Sequence, residues 1–212
     1  MPKRHPTCLN AGFTACCAAM TEAHLPTGSA LSDSLRTARI LAMSKPAPIW
    51  SGRCGLPASS IPDFWRHWLT DNGSLTQRLI ELKPGHFRVR LLREYRGHAT
   101  PLEYRALGLS IKHPVWIREV GLCIDDDVVV FGRTVIPIST LTGKHTRLLS
   151  LGERSLGSYL FRQPGIFRRS LSFARVHEPR LPVNWCRRSV FSLDNKPLLV
   201  TESFTEKLRL YS

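Results

Sequence analysis

Trp116-Ile117-Arg118-Glu119-Val120-Gly121-Leu122 runs into Asp125-Asp126-Asp127, and Val128-Val129-Val130-Phe131-Gly132-Arg133-Thr134-Val135-Ile136 follows. β-branched and aromatic residues on both sides predict two strands, the aspartates predict the turn between them, and Pro137 ends the second arm. The stretch therefore reads as a hairpin. Working outward, residues 86–94 alternate Phe87, Val89 and Leu91 and predict a strand upstream. Residues 167–175, 185–193 and 197–204 predict three more, with Asp194-Asn195 as a tight turn between the last two. About six strands in hairpin order imply an antiparallel sheet. Helices precede it: Ile61-Pro62-Asp63 opens a pattern with Phe64, Trp65, Trp68 and Leu69 as its apolar stripe, and Asp71-Asn72-Gly73 stops it. Ser74 is an N-cap for a second short helix through about Leu82, closed by Pro84-Gly85. Residues 152–161 have helical spacing in Leu156, Tyr159 and Leu160, and the stretch up to Pro114 reads as loose. The fold class is α+β, a single domain built on an antiparallel sheet of about six strands.

Two charges break the apolar pattern. Strand alternation puts Arg118 beside Trp116, Val120 and Leu122, and puts Glu202 beside Leu198, Val200 and Phe204. A charge on a core-facing stripe is costly unless something specific compensates it. One compensation is that the two pair with each other; the other is a pocket for a small anionic ligand. A carboxyl group on an apolar stripe is pushed toward useful acid–base range by desolvation, and a nearby Arg opposes that. Arg133 shares a stripe with Val129, Phe131 and Val135, so it either lines the same pocket or pairs with Glu119 or a neighbouring acid. Arg187 reads as structural or surface, and Trp65 and Trp68 read as core.

Composition narrows the function classes. The formal charge is +14, from 30 basic and 16 acidic residues, but the basic residues are scattered and Arg168-Arg169 and Arg187-Arg188 are too short for a basic arm. The positive field suits a small polyanionic substrate better than nucleic acid. No apolar run reaches the roughly 20 residues that span a bilayer. Six cysteines show no metal-ligand spacing, which fits a reducing cytoplasm, although an even number leaves pairing open. There is no Gly-rich phosphate loop, His-Glu-x-x-His, Cys-x-x-Cys or Gly-x-Ser-x-Gly, and the three consecutive aspartates read as a solvated turn.

Residues 1–60 differ from the rest. The first 42 are rich in Ala, Thr, Ser and Cys without periodicity, and Pro/Ser/Gly-rich sequence follows to about Ser60. A secretory signal, a transit peptide and an upstream translation ahead of a start at Met43 are the three readings, and the third is favoured. Little ordered structure is expected there, with one domain over 61–212.

Several blocks, taken together and in order, resemble the chorismate–pyruvate lyase family. They are Trp116-Ile117-Arg118-Glu119, Gly132 through Gly143, Leu151-Gly152, Leu156-Gly157-Ser158-Tyr159-Leu160-Phe161, Trp185-Cys186-Arg187-Arg188-Ser189, and Lys196 through Glu202. The resemblance covers roughly residues 61–205. It implies helical flaps closing over a buried ligand site, and a cofactor-free enzyme that splits chorismate into 4-hydroxybenzoate and pyruvate on the way to ubiquinone. It also suggests a monomer, and the composition adds the expectation of a cytoplasmic protein with no nucleic-acid partner and no membrane insertion. Family ligand contacts fall on Arg118, Leu156 and Glu202, and the first and last of these carry the catalytic roles. A fourth, a methionine in the family, falls on Leu75, a departure that keeps an apolar side chain. The rival implied by the same fold is a non-catalytic sensor of aromatic acids, as in some transcription regulators. Nothing in residues 1–60 reads as the helix-turn-helix such proteins carry.

Overall fold

Alternating apolar residues produce six long strands in the computed structural model, which describes residues 32–37, 57–176 and 182–212. These are β1 (Phe87–Gly97), β2 (Val115–Ile124), β3 (Asp127–Pro137), β4 (Ile166–Arg175), β5 (Val183–Leu193) and β6 (Lys196–Thr205). All pairings are antiparallel, in the order β1-β2-β3-β6-β5-β4. Hairpin order thus holds within each half but not between halves: β3 pairs with β6, and the β3–β4 connection carries the chain to the far edge. The β5–β6 turn has φ of 46° at Asp194 and 67° at Asn195, the positive pair a two-residue hairpin turn requires. At the β2–β3 turn the aspartates are engaged by surface groups, with Asp125 contacting Lys83 at 2.6 Å and His86 at 2.7 Å.

One face of the sheet carries α1 (Asp63–Thr70) and α2 (Leu75–Leu82). Pro62 starts α1, the Ser74 hydroxyl accepts from the Gln77 N–H to start α2, and Trp65, Trp68, Leu69 and Leu79 pack on Val120, Leu122 and Phe204. Each fully buried aromatic or leucine there contributes about 1.5–3 kcal/mol. Further along, α4 (Leu156–Leu160) packs with Leu148, Phe191 and Leu198. It is shorter than the 152–161 pattern predicts, because Gly152 turns at φ 53° and the helix begins only after the Ser155 cap.

The opposite face carries an element that the reading as loose sequence overlooks, α3 (Pro101–Leu107). Its signals are present: Thr100 and Glu103 form a reciprocal capping box, Pro101 opens the helix, and Gly108 closes it at φ 70°. Tyr104 and Leu107 pack on Val115, Ile117, Val135, Val190 and Leu199. On this face Arg133 bonds Glu103, with Nε 2.7 Å from Oε1, and also bonds Glu119, which Arg93 holds from β1. Arg133 therefore belongs to an ion network on the far side of the sheet and does not line the pocket described below. Burial alone would push the Glu103 carboxyl up, but the Arg133 fork outweighs it and holds it below the usual range. The stability this gives is present above the unfolded carboxylate range and lost as pH falls through the lower folded value. Replacing Arg133 by Met leaves the buried Glu103 carboxylate without its cation, while Glu119 keeps Arg93, and is expected to cost about 3–5 kcal/mol, read as a lower denaturant midpoint.

Cys123 and Cys186 are buried free thiols, and burial pushes Cys186 up to about 12. No described helix is long and apolar enough to cross a membrane. The expectation for residues 1–60 lies almost wholly outside the described residues; within it, 32–37 is helical and Ala58–Ser60 is a 3-10 turn.

Candidate active site

The sheet face under α2 and α4 holds a pocket with about 540 Å³ of empty space, part of it continuous with solvent. Its floor is made by Val89, Arg118, Val120, Leu122, Gly132 and Thr134, continued by Val200, Glu202 and Phe191. Its roof is Leu75 and Thr76 from α2 and Ser155 to Gly157, Leu160 and Phe161 from α4. All four sequence-predicted site residues, Arg118, Glu202, Leu75 and Leu156, meet around this space. Strand register explains the convergence. One row across the sheet is Arg118–Thr134–Val200, and the next is Val120–Gly132–Glu202. Arg118 and Glu202 therefore sit diagonally, with β3 between their strands and their Cα atoms roughly 12 Å apart. Gly132, having no side chain, leaves the floor open between them.

Arg118 and Glu202 do not pair with each other. Arg118 is 2% exposed; its Nη2 donates to the carbonyls of Gly152 (2.7 Å) and Arg154 (3.0 Å), and its Nε lies 3.0 Å from Glu94 Oε1. Burial pushes the Arg118 guanidinium down, and Glu94 opposes the shift. Glu202 Oε2 accepts from Arg187 Nε at 2.5 Å. Arg187 is itself buried, and its Nη1 donates to the carbonyls of Trp68 (2.7 Å) and Asp71 (3.0 Å). Those carbonyls lie at the end of α1, where no intrahelical donor reaches them. Arg187 thus ties Glu202 to the helix overhead, a structural role at a buried position and not at the surface.

The roof segments meet closely. Thr76 Oγ1 and Ser155 Oγ are 2.7 Å apart, and a Cβ on Gly157 would lie 2.7 Å from Thr76 Oγ1, so only glycine allows this approach. Residues that alternation alone does not reveal include Glu94, Thr134, Thr76, Ser155 and Phe191. Thr134 becomes visible once the Arg118 register is known; the roof contacts have no sequence signal beyond the Ser155 cap.

A profile described as Chorismate lyase matches residues 56–212, well over half of the chain. The chain belongs to the chorismate lyase family. A probable chorismate pyruvate-lyase of Azoarcus sp. (strain BH72) is 41% identical over 156 residues, covering 66% of this chain and 82% of that protein. The chorismate pyruvate-lyase of Yersinia enterocolitica is 36% identical over 159 residues, covering 75% and 91%. Among solved structures, PhnF from Mycobacterium smegmatis aligns with a TM-score of 0.49 and 18% identity over 65% of this chain and 66% of that one. In this chorismate lyase family chain, a Cβ added at Gly132 would meet Val120 Cγ2 at 2.9 Å. Gly132→Ala is expected to cost about 1–3 kcal/mol by overpacking and to raise KM, since the displaced Val120 narrows the floor. Thermal melting with steady-state kinetics checks both.

Proposed function

We propose that this protein cleaves chorismate to 4-hydroxybenzoate and pyruvate, with Arg118 anchoring the ring carboxylate and Glu202 orienting the ring hydroxyl and handling the proton lost from the ring carbon that bears it. The observation that carries the reading is one pocket bearing a buried guanidinium and a carboxylate at opposite corners of an otherwise largely apolar floor. An Arg fork in such a wall suits a planar carboxylate. Leu156 opens α4, so its backbone N–H has no intrahelical acceptor and is the donor we assign to the same group. Leu75 supplies an apolar cover from α2.

In the reaction the ring carbon bearing the hydroxyl loses its proton, the ether C–O bond breaks, and the ring becomes aromatic. The departing enolpyruvate takes a proton on its methylene carbon and becomes pyruvate. Atoms and electrons balance without a co-reactant, so no cofactor is proposed. Arg187 fixes Glu202 Oε2 and leaves Oε1 for the ligand. The Thr76–Ser155 contact joins the two roof segments over the ring.

The reading extends to a monomer working in the cytoplasm, without nucleic acid or membrane insertion, with 61–212 as the ligand-binding domain and 1–60 outside it. The test is incubation of purified protein with chorismate without added metal. Formation of 4-hydroxybenzoate and pyruvate in equal amounts is expected. Tight binding of an aromatic acid with no product would make the protein a sensor.

A further inference from the structure

Along β1, Val89 and Leu91 stand opposite Leu122 and Val120 and face the pocket side. A register shift between Leu91 and Arg93 then inserts one residue. Beyond it Glu94 stands opposite Arg118 on the pocket face, and Arg93 turns to Glu119 on the other. Bulges re-aim side chains in this way next to functional sites. Without the extra residue, continued alternation would put Arg93 beside the pocket and turn Glu94 away.

The resulting contact is unusual. Glu94 Oε1 and Arg118 Nε are 3.0 Å apart, yet both atoms are buried without an aligned hydrogen bond. Arg118 spends Nη2 on two backbone carbonyls, which fix the fork independently of Glu94. Glu94 therefore adds chiefly negative charge, at the one cation that a ligand carboxylate would use. Burial pushes the Glu94 carboxyl up while Arg118 pulls it down.

We propose that Glu94 is a positioning residue that acts through Arg118, its negative charge limiting how tightly the guanidinium holds a ligand carboxylate and so favouring release of the aromatic acid product. The proposal rests on the reading of Arg118 as the carboxylate anchor. An incoming carboxylate meets the attraction of Arg118 and the repulsion of Glu94 within one low-dielectric wall. Like charges at this range shift an equilibrium by about tenfold or more.

Calorimetric titration with 4-hydroxybenzoate and with its uncharged amide, 4-hydroxybenzamide, tests this. Two neutral variants, Glu94→Gln and Glu94→Met, are used so that one folded protein suffices, and Glu94→Asp keeps the charge. The neutral variants are expected to bind the benzoate about tenfold tighter and the benzamide unchanged, with Glu94→Asp close to wild type. Benzoate binding that is unchanged or weaker, or an equal change for both ligands, overturns the proposal. Failure of the underlying reading looks different: wild-type protein would not bind 4-hydroxybenzoate, or Arg118→Met would bind it equally well.

Discussion

A Glu202→Gln protein is expected to bind 4-hydroxybenzoate but to turn over chorismate about 10²–10⁴-fold more slowly, the range contributed by a positioned acid or base. Gln keeps the size of Glu and retains an acceptor for Arg187 Nε, so the tie to the end of α1 through Trp68 and Asp71 survives. It cannot take up a proton as a carboxylate does. The loss should therefore fall on kcat and not on KM. Arg187 loses its counter-charge in this variant, which lowers the melting temperature; circular dichroism and a ligand-induced melting shift establish that the protein assayed is folded. Full turnover by a folded Glu202→Gln protein would remove Glu202 from proton transfer and leave it as the partner of Arg187 alone.

Arg118→Met is expected to lower kcat/KM by about 30- to 5,000-fold, from the roughly 2–5 kcal/mol typical of losing one partner of a buried charged contact. The loss should appear mainly as weaker binding of substrate and of 4-hydroxybenzoate. Stability falls too, because Glu94 loses its counter-charge and the carbonyls of Gly152 and Arg154 lose their donor. These effects separate in a double variant. Arg118→Met with Glu94→Met removes both charges, and replacing a whole buried pair is often neutral where breaking it is not. The double variant should recover the part of the melting temperature lost to the unpaired Glu94 charge, without recovering activity. Recovery of both would show that Arg118 matters only for folding. Arg118→Lys should remain defective, since a point charge cannot serve two carbonyls and a carboxylate as a planar fork does.

Much of this site is legible along the chain. The period of two in β2 and β6 places Arg118 and Glu202 on apolar stripes, and the structure puts both on one floor. Arg133 is less tractable because β3 is central and carries apolar residues on both faces, so alternation alone does not tell which face holds the pocket. The α3 helix has complete start and stop signals at Thr100, Pro101, Glu103 and Gly108, but only seven residues carry them. Glu94 is hidden for a different reason: one inserted residue on β1 reverses the faces of everything after it.

The six strands, the α+β class and the two charges that break the apolar stripes are all written along the chain, because each follows from local periodicity and turn chemistry. The pairing of β3 with β6 comes from the assembled sheet; through it Arg118 and Glu202 share a cavity across Gly132 and each takes a separate counter-ion, Glu94 and Arg187. Those choices depend on register between strands distant in the chain, and no periodicity within a single strand encodes which distant residue lies opposite.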